Sequence, residues 1–126
     1  MNIVRSVKLL TLTEEFTEQE KFFISFFDGL KEKTSYDYGG DMIVLYKEID
    51  FRERQINRYY FYYHIKIKKF TVSRREVWNE LEEKFDLGYI GINNLIRGVM
   101  ERVFKTTDFE LEREGDDDNE WLDDDF

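Results

Sequence analysis

The sequence predicts an α+β domain in which a small antiparallel sheet packs on helices and an acidic tail follows. The segment Arg58–Val72 is dense in aromatic and β-branched residues, which favour strands. Segments with apolar residues at helical spacing lie on both sides of it. From Asp108 to Phe126 there are 11 Asp and Glu residues against one Arg. The predicted order is therefore β-α-β-β-α-α, with a globular domain at 1–107 and a disordered acidic tail at 108–126.

The first half of the chain is predicted to form a strand, a helix and a second strand. Apolar residues on one side of Asn2–Leu12 indicate the N-terminal strand. Thr17 and Glu20 match a capping box, which begins a helix that extends to about Lys33. After a glycine-containing loop, Asp41–Phe51 alternates as a strand. The apolar face of the helix is expected in the core: Phe22, Phe23, Phe26, Phe27 and Leu30.

The second half is predicted to complete a hairpin and add two helices. A polar turn at 52–57 joins the strand before it to the strand Arg58–Val72. Ser73 and Glu76 match a second capping box, which begins a helix to about Phe85. A third helix covers Ile92–Lys105. The expected core positions of these helices are Val77, Trp78, Leu81, Phe85, Leu95, Ile96, Val99, Met100 and Val103.

Composition restricts the chemistry. The chain has no Cys, which excludes disulfides, thiolate catalysis and Cys-type zinc sites. The start of the chain does not read as a signal peptide, and no stretch approaches the ~20 apolar residues of a membrane-spanning helix. We therefore expect a cytoplasmic protein that does not bind membranes, needs no cofactor or metal, and is not an enzyme.

The charges are divided along the chain. The formal net charge of the chain is −9; the segment 108–126 carries a net −10, and residues 1–107 carry a net +1. Residues 52–75 hold eight basic residues and one acidic residue. A run of like charges such as the tail is often an interaction segment. The basic block and the acidic tail are the two candidate functional segments.

The central strand combines aromatic and basic residues on one predicted face. Strict alternation places Tyr59, Phe61, Tyr63, Ile65 and Ile67 in the core. Single-stranded nucleic acid binders need flat rings for unpaired bases and cations for phosphates. The opposite face supplies both types, and basic residues extend it at the ends of the strand: Tyr60, Tyr62, His64, Lys66, Lys68, Lys69, Arg52, Arg54, Arg58, Arg74 and Arg75. An ordinary solvated strand face with edge-protecting Lys is the alternative.

The tail resembles the acidic tips of bacterial single-stranded DNA-binding proteins and of some bacteriophage counterparts. The matching residues are Asp116, Asp117, Asp118, Glu120, Asp123, Asp124, Asp125 and Phe126. In those families the tip recruits replication and repair proteins and competes with DNA for the basic groove. The resemblance implies a partner-binding role for Trp121, Leu122, Asp123, Asp124, Asp125 and Phe126. Asp125 stands where the bacterial family has Pro, and three predicted strands are too few for an OB-fold.

The leading hypothesis is a non-sequence-specific single-stranded DNA-binding protein, with RNA as the other candidate ligand. The composition of the chain suggests a viral or plasmid origin. The apolar stripe of the third helix offers a surface for a homodimer. The alternative is an acidic interaction protein, such as a DNA mimic that inhibits a nucleic-acid-binding protein. Two weaker alternatives are a helix–turn–helix at Ser73–Lys105 and a nuclease metal site at Asp41, Glu48 and Asp50.

Overall fold

The computed structural model describes residues 2–35, 41–105 and 108–113, which form an α+β fold as predicted. The helices are α1 Ile3–Thr13, α2 Glu18–Ser25, α3 Arg75–Phe85 and α4 Tyr89–Phe104. The strands are β1 Lys31–Ser35, β2 Met42–Phe51, β3 Arg54–His64, β4 Lys69–Val72 and β5 Glu110–Arg113. They form one sheet in the order β1-β2-β3-β4-β5. All neighbours are antiparallel except β4 and β5, which are parallel.

One face of the sheet, here called the inner face, packs against all four helices. Phe61 lies at its centre, is fully buried, and stacks on Phe27 from the α2–β1 turn at 4.7 Å and on Phe70 of β4 at 5.5 Å. The apolar positions expected from the helical spacing are buried or packed against this core, so that prediction is confirmed. The inner-face residues are Ile43, Leu45, Phe61, Tyr63, Phe70 and Val72.

The N-terminal strand predicted at Asn2–Leu12 is wrong, because this segment is helix α1. The Asn2 side chain accepts a hydrogen bond from Arg5 N at 2.8 Å, which caps the helix. Ile3, Val4 and Val7 are buried on one side of α1. Apolar residues four positions apart satisfy both helical and alternating patterns, so local periodicity did not separate the two.

The capping box of α2 is confirmed, but the helix is shorter than predicted. Thr17 N donates to Glu20 Oε1 at 2.9 Å, and Glu20 N donates to Thr17 Oγ1 at 3.2 Å. The helix ends at Ser25, and a turn follows in which Gly29 has φ +78°. Lys31–Ser35, predicted as the end of the helix and a loop, instead forms β1 and pairs with β2.

The hairpin of β2 and β3 is confirmed, but the long strand predicted at Arg58–Val72 is divided. β3 starts earlier, at Arg54, and ends at His64. A turn at 65–68 reverses the chain into β4, with φ of +52° at Lys68. The core position predicted for Ile65 and Ile67 is therefore wrong, because both lie in this turn and are exposed. The turn contains no Gly, Pro, Asn or Asp, so the sequence contained no turn signal there.

Helices α3 and α4 are confirmed, but the second capping box is wrong. The N-cap of α3 is Arg74, without a side-chain cap, and Glu76 pairs with Arg74 at 2.8 Å instead. The apolar stripe of α4 is buried in the chain's own core, so it cannot be the surface of a dimer. Dimerisation itself stays a prediction. In the described parts of the chain, no helix has both the length and the apolar character needed to cross a bilayer.

The first residues assigned to the disordered tail belong to the folded body. Phe109 is buried at 2% exposure, and β5 pairs with β4 from Lys69↔Glu110 to Val72↔Arg113. Parallel pairing needs a long connection, which α3 and α4 provide, so a local pattern could not reveal it. The tail beyond Arg113 lies outside the described residues.

Glu32 on the inner side of β1 predicts a pH dependence of stability. Both of its carboxylate oxygens accept from Ile3 N at 2.7 Å. Burial nevertheless raises the pKa of Glu32 above its ordinary 4.5, outweighing this hydrogen bond. The stabilisation that Glu32 supplies is therefore full below pH 4.5 and is lost as pH rises through the raised pKa. Glu32→Gln keeps an acceptor but does not ionise, so we expect the variant to gain unfolding free energy relative to the native protein as pH rises. Urea titrations at several pH values measure this difference, and parallel pH profiles would contradict it.

The two-residue turn between β2 and β3 predicts a stabilising substitution. Arg52 and Glu53 both have positive φ, +51° and +64°. A two-residue hairpin turn with positive φ at both positions favours Asn-Gly. We expect the double variant Arg52→Asn and Glu53→Gly to raise the unfolding free energy by about 1 kcal/mol, because it removes steric strain at the left-handed positions. Urea unfolding measures the change, and Arg54→Gly, inside β3, should lower stability as a control.

Candidate nucleic-acid interface

A β-bulge in β3 sets which aromatic side chains face away from the helices. Tyr46 pairs with Tyr59, but the next residue of β2, Leu45, pairs with Phe61, so Tyr60 is an extra residue. The Tyr60 carbonyl accepts from Ser73 N at 2.7 Å. The bulge shifts the alternation by one residue, so Tyr59 and Tyr62 share a face although they are three residues apart.

The sheet face opposite the inner face is here called the outer face. Register places on it Lys31, Lys33, Met42, Val44, Tyr46, Tyr59, Tyr62, His64, Lys69 and Thr71. Met42 and Val44 are 4% and 3% exposed and do not belong to the main core cluster. The outer face therefore has its own apolar strip, bordered by aromatic and basic residues.

Three tyrosines form a row across β2 and β3 on the outer face. The ring centroids of Tyr46 and Tyr59 are 6.1 Å apart, and those of Tyr59 and Tyr62 are 6.0 Å apart. The Lys33 ammonium lies 5.0 Å from the Tyr46 ring centroid and 5.8 Å from that of Tyr59. A cation over aromatic rings is itself stabilising. The arrangement combines flat rings with a positive charge, the two groups that unpaired nucleotides require.

The remaining lysines of the outer face are paired with carboxylates. Lys31 donates a hydrogen bond to Glu48, which together with the charge of Glu48 raises the pKa of Lys31. Lys69 Nζ lies 2.9 Å from Glu112 Oε2. Register also places Asp50 and Glu110 on this face. Since carboxylates offset its lysines, the outer face is not a strongly basic groove.

The structure divides the predicted binding residues among several places. Tyr62, His64 and Lys69 lie on the outer face as predicted. Tyr60 does not, because the bulge turns it toward the core, where it packs beside Phe61 with Lys47 Nζ 5.3 Å above its ring. Register places Arg58 on the side of β3 opposite Tyr59, so the prediction for Arg58 and Tyr60 is wrong.

The other predicted cations lie at the ends of the strands. Arg52 and Arg54 are exposed at the β2–β3 turn, and Lys66 and Lys68 are exposed at the β3–β4 turn. β3 has 11 residues, so these turns lie about 35 Å apart. Lys66 Nζ is 2.9 Å from Asp41 Oδ2, and this contact raises the pKa of Lys66.

Two predicted arginines belong to the start of α3. Arg74 is 7% exposed at the N-cap, and Arg75 is the first residue of the helix. A cation this buried is not part of an exposed groove, so the prediction for Arg74 is wrong. The predicted partner-binding residues Trp121, Leu122, Asp123, Asp124, Asp125 and Phe126 lie outside the described residues.

Sequence reasoning missed Lys33, Tyr46 and Tyr59. Helical spacing predicts Lys33 at the end of a helix, and strict alternation predicts Tyr59 in the core. Alternation along β2 predicts that Met42, Val44 and Tyr46 share one face of the strand, but it does not indicate whether that face packs on the helices. The Tyr59–Tyr60 pair was the available signal, since adjacent tyrosines in one strand are compatible with either phase and with a bulge.

The weaker alternatives find little support in the geometry. The Arg97 guanidinium lies 4.8 Å from the Phe109 ring, and Arg102 lies 3.7 Å from both Glu14 and Glu20, so both cations of α4 make contacts within the chain. A helix–turn–helix needs such residues for DNA. Across residues 2–35, 41–105 and 108–113, no three carboxylate or imidazole groups form a metal cluster.

A cleft of about 620 Å³ lies between the end of α1 and α2. Glu14, Glu15 and Asp28 line it, together with Phe16 and Lys21. The carboxylates make it unsuitable for phosphate groups. Comparisons of the chain with protein-family models, with curated proteins and with solved structures found no match.

Proposed function

We propose that this protein binds single-stranded DNA without sequence specificity, through the outer face of its sheet. The observation that supports this is the row of Tyr46, Tyr59 and Tyr62 with Lys33 over the first two rings. Aromatic side chains on a sheet are a recurrent platform for unpaired bases. Stacking on such rings tolerates any base, because every base has a π-face.

The charge distribution indicates how the backbone of the nucleic acid is held. Lys33 lies among the tyrosines, while Arg52 and Arg54 lie at one end of β3 and Lys66 and Lys68 at the other. A nucleic acid that runs parallel to β3 therefore passes the tyrosine rings in the middle and meets cations at both ends. Lys66 is paired with Asp41, which leaves four of these cations for phosphates. Four phosphate contacts correspond to a slope of roughly −2.8 in the dependence of log affinity on log salt concentration.

The acidic segment after Arg113 is proposed to compete with the nucleic acid and to recruit partner proteins. It has eight Asp and Glu residues and no Lys or Arg. Thirteen residues follow Arg113, and they can extend up to ~43 Å, whereas β1 lies about 19 Å from β5 across the sheet. The segment is therefore long enough to reach any part of the outer face. Trp121, Leu122 and Phe126 are its apolar anchors for replication or repair proteins.

The tyrosine row predicts the effect of substitution on binding. Tyr46→Leu combined with Tyr59→Leu keeps apolar bulk but removes two flat rings. We expect the affinity for single-stranded DNA to fall about tenfold or more, since each stacked base contributes ~1–3 kcal/mol. Fluorescence titration of a labelled oligonucleotide measures this, beside a duplex that the native protein should bind more weakly.

Two control variants make this test specific. Tyr60→Leu changes the neighbour of Tyr59 on the core side, and we expect lower stability with unchanged affinity in the folded protein. Tyr89→Leu changes a tyrosine of α4 that is 53% exposed, and we expect no effect on binding. If Tyr60→Leu reduced affinity as much as Tyr46→Leu combined with Tyr59→Leu, the assignment of the outer face would be wrong.

The acidic segment predicts the effect of truncation. Removal of 114–126 should raise the affinity for single-stranded DNA at low salt, because it removes a tethered anion that competes with phosphates. The difference should shrink as salt screens the charges. The truncation must start after Arg113, because earlier cuts remove β5 and the buried Phe109. Salt-dependent titrations measure the effect, and weaker binding by the truncated chain would contradict the competition.

One observation favours a second candidate, an acidic interaction protein that imitates DNA. Glu76, Glu80 and Glu83 are exposed along α3, one helical turn apart, with Glu82 and Asp86 also exposed. A DNA mimic carries carboxylates on a folded surface in this manner. If the protein bound no nucleic acid but displaced DNA from a basic DNA-binding protein, and Glu76→Gln with Glu80→Gln and Glu83→Gln abolished the displacement, the second candidate would be correct.

A further inference from the structure

The β3–β4 turn presents two aliphatic side chains to solvent. Ile65 is 44% exposed and Ile67 is 64% exposed, and they alternate with Lys66 and Lys68. Tight turns favour Gly, Pro, Asn, Asp and Ser, of which this turn contains none. Lys68 has φ +52°, a conformation that side chains other than Gly, Asn and Asp rarely adopt. Turn formation alone therefore does not account for these residues.

The turn continues the outer face at the end of β3. His64 and Lys69 form the last residue pair before the turn. His64 is the next outer-face residue of β3 after Tyr62. Asp41 holds the start of the turn in place. Its backbone carbonyl accepts a hydrogen bond from Ile65 N at 2.8 Å, and its carboxylate pairs with Lys66. A nucleic acid strand that follows the tyrosines along β3 therefore arrives at a fixed turn with exposed isoleucines.

Resting on the proposed function, we propose that this turn recognises the junction at which a single strand continues into a duplex. Ile65 and Ile67 insert beside the terminal base pair, while Lys68 contacts a flanking phosphate. Proteins that unstack bases use aliphatic side chains as wedges in this manner. A lysine beside the wedge adds a contact that is independent of sequence. The ligand class is thus a single strand joined to a duplex rather than an isolated single strand.

A lipid surface is the competing ligand for exposed isoleucines among lysines. A bilayer would contact the turn alone, whereas a junction contacts the turn and the tyrosine row together. The turn is continuous with the outer face on the His64–Lys69 rung, so the junction uses more of the observed surface.

The test compares a single-stranded oligonucleotide with a tailed duplex that has the same single-stranded arm. We expect the native protein to prefer the tailed duplex, and Ile65→Ser combined with Ile67→Ser to lose about tenfold of that preference, equivalent to ~1.4 kcal/mol. Affinity for the single strand should stay unchanged. The matched control is Leu9→Ser with Leu12→Ser on α1, which are 52% and 80% exposed on the helical side and should leave the preference intact. Circular dichroism and thermal midpoints verify that both variants fold.

Each outcome distinguishes the two proposals. A native protein without preference for the tailed duplex, or an isoleucine variant that keeps it, would overturn the junction proposal and leave single-strand binding in place. Vesicles of phosphatidylserine and phosphatidylcholine form a further arm. Vesicle binding that the isoleucine variant loses, with the tailed-duplex preference intact, would assign the turn to lipid. Junction binding without single-strand binding would refute the proposed function alone, and absence of both would refute the two together.

Discussion

The extra residue at Tyr60 in β3 is the constraint on which both the core and the candidate site depend. It lets Phe61 and Tyr63 point toward the helices while Tyr59 and Tyr62 point away from them. Without it, a continuous alternation through Phe61 would place Tyr59 with the core residues. The Tyr60 carbonyl accepts from Ser73 N, which ties the bulge to the residues that lead into α3. Bulges reorient side chains in this manner next to functional sites.

In the proposed function, the outer face offers a nucleic acid more aromatic ring surface than unpaired positive charge. Lys31 and Lys69 are paired with Glu48 and Glu112, so only part of the basic composition of the chain is available to phosphates. In the proposed binding mode, stacking on the tyrosine rings contributes affinity that salt does not screen, and the cations at the two ends of β3 contribute a part that salt does screen.

Residues at the two turns that flank β3 depart from local preference. Arg52, Glu53 and Lys68 occupy left-handed backbone conformations that Gly or Asn would occupy with less strain. Such departures concentrate where function, rather than stability, selects the residue. Both turns present cations, and the one at 65–68 also presents isoleucines. Asp86 and Lys105, the C-caps of α3 and α4, also have positive φ, so such strain is not confined to the ends of the proposed binding path.

The sequence by itself determined the elements whose signals are local. The Thr17–Glu20 capping box, the apolar stripes of α3 and α4 and the β2–β3 hairpin all follow from contacts between residues close in the chain. Tertiary structure decided the rest. Asn2–Leu12 is a helix because its buried residues pack against the core, and β5 exists because Glu110–Arg113 pairs with a distant strand while Phe109 packs in the core. Of the binding residues predicted from the sequence, Tyr62, His64 and Lys69 lie on the outer face, but the bulge places Tyr59 there instead of Tyr60, and pairing with β1 adds Lys33. Register between strands is a long-range property, and a shift of one residue reverses every side chain beyond it.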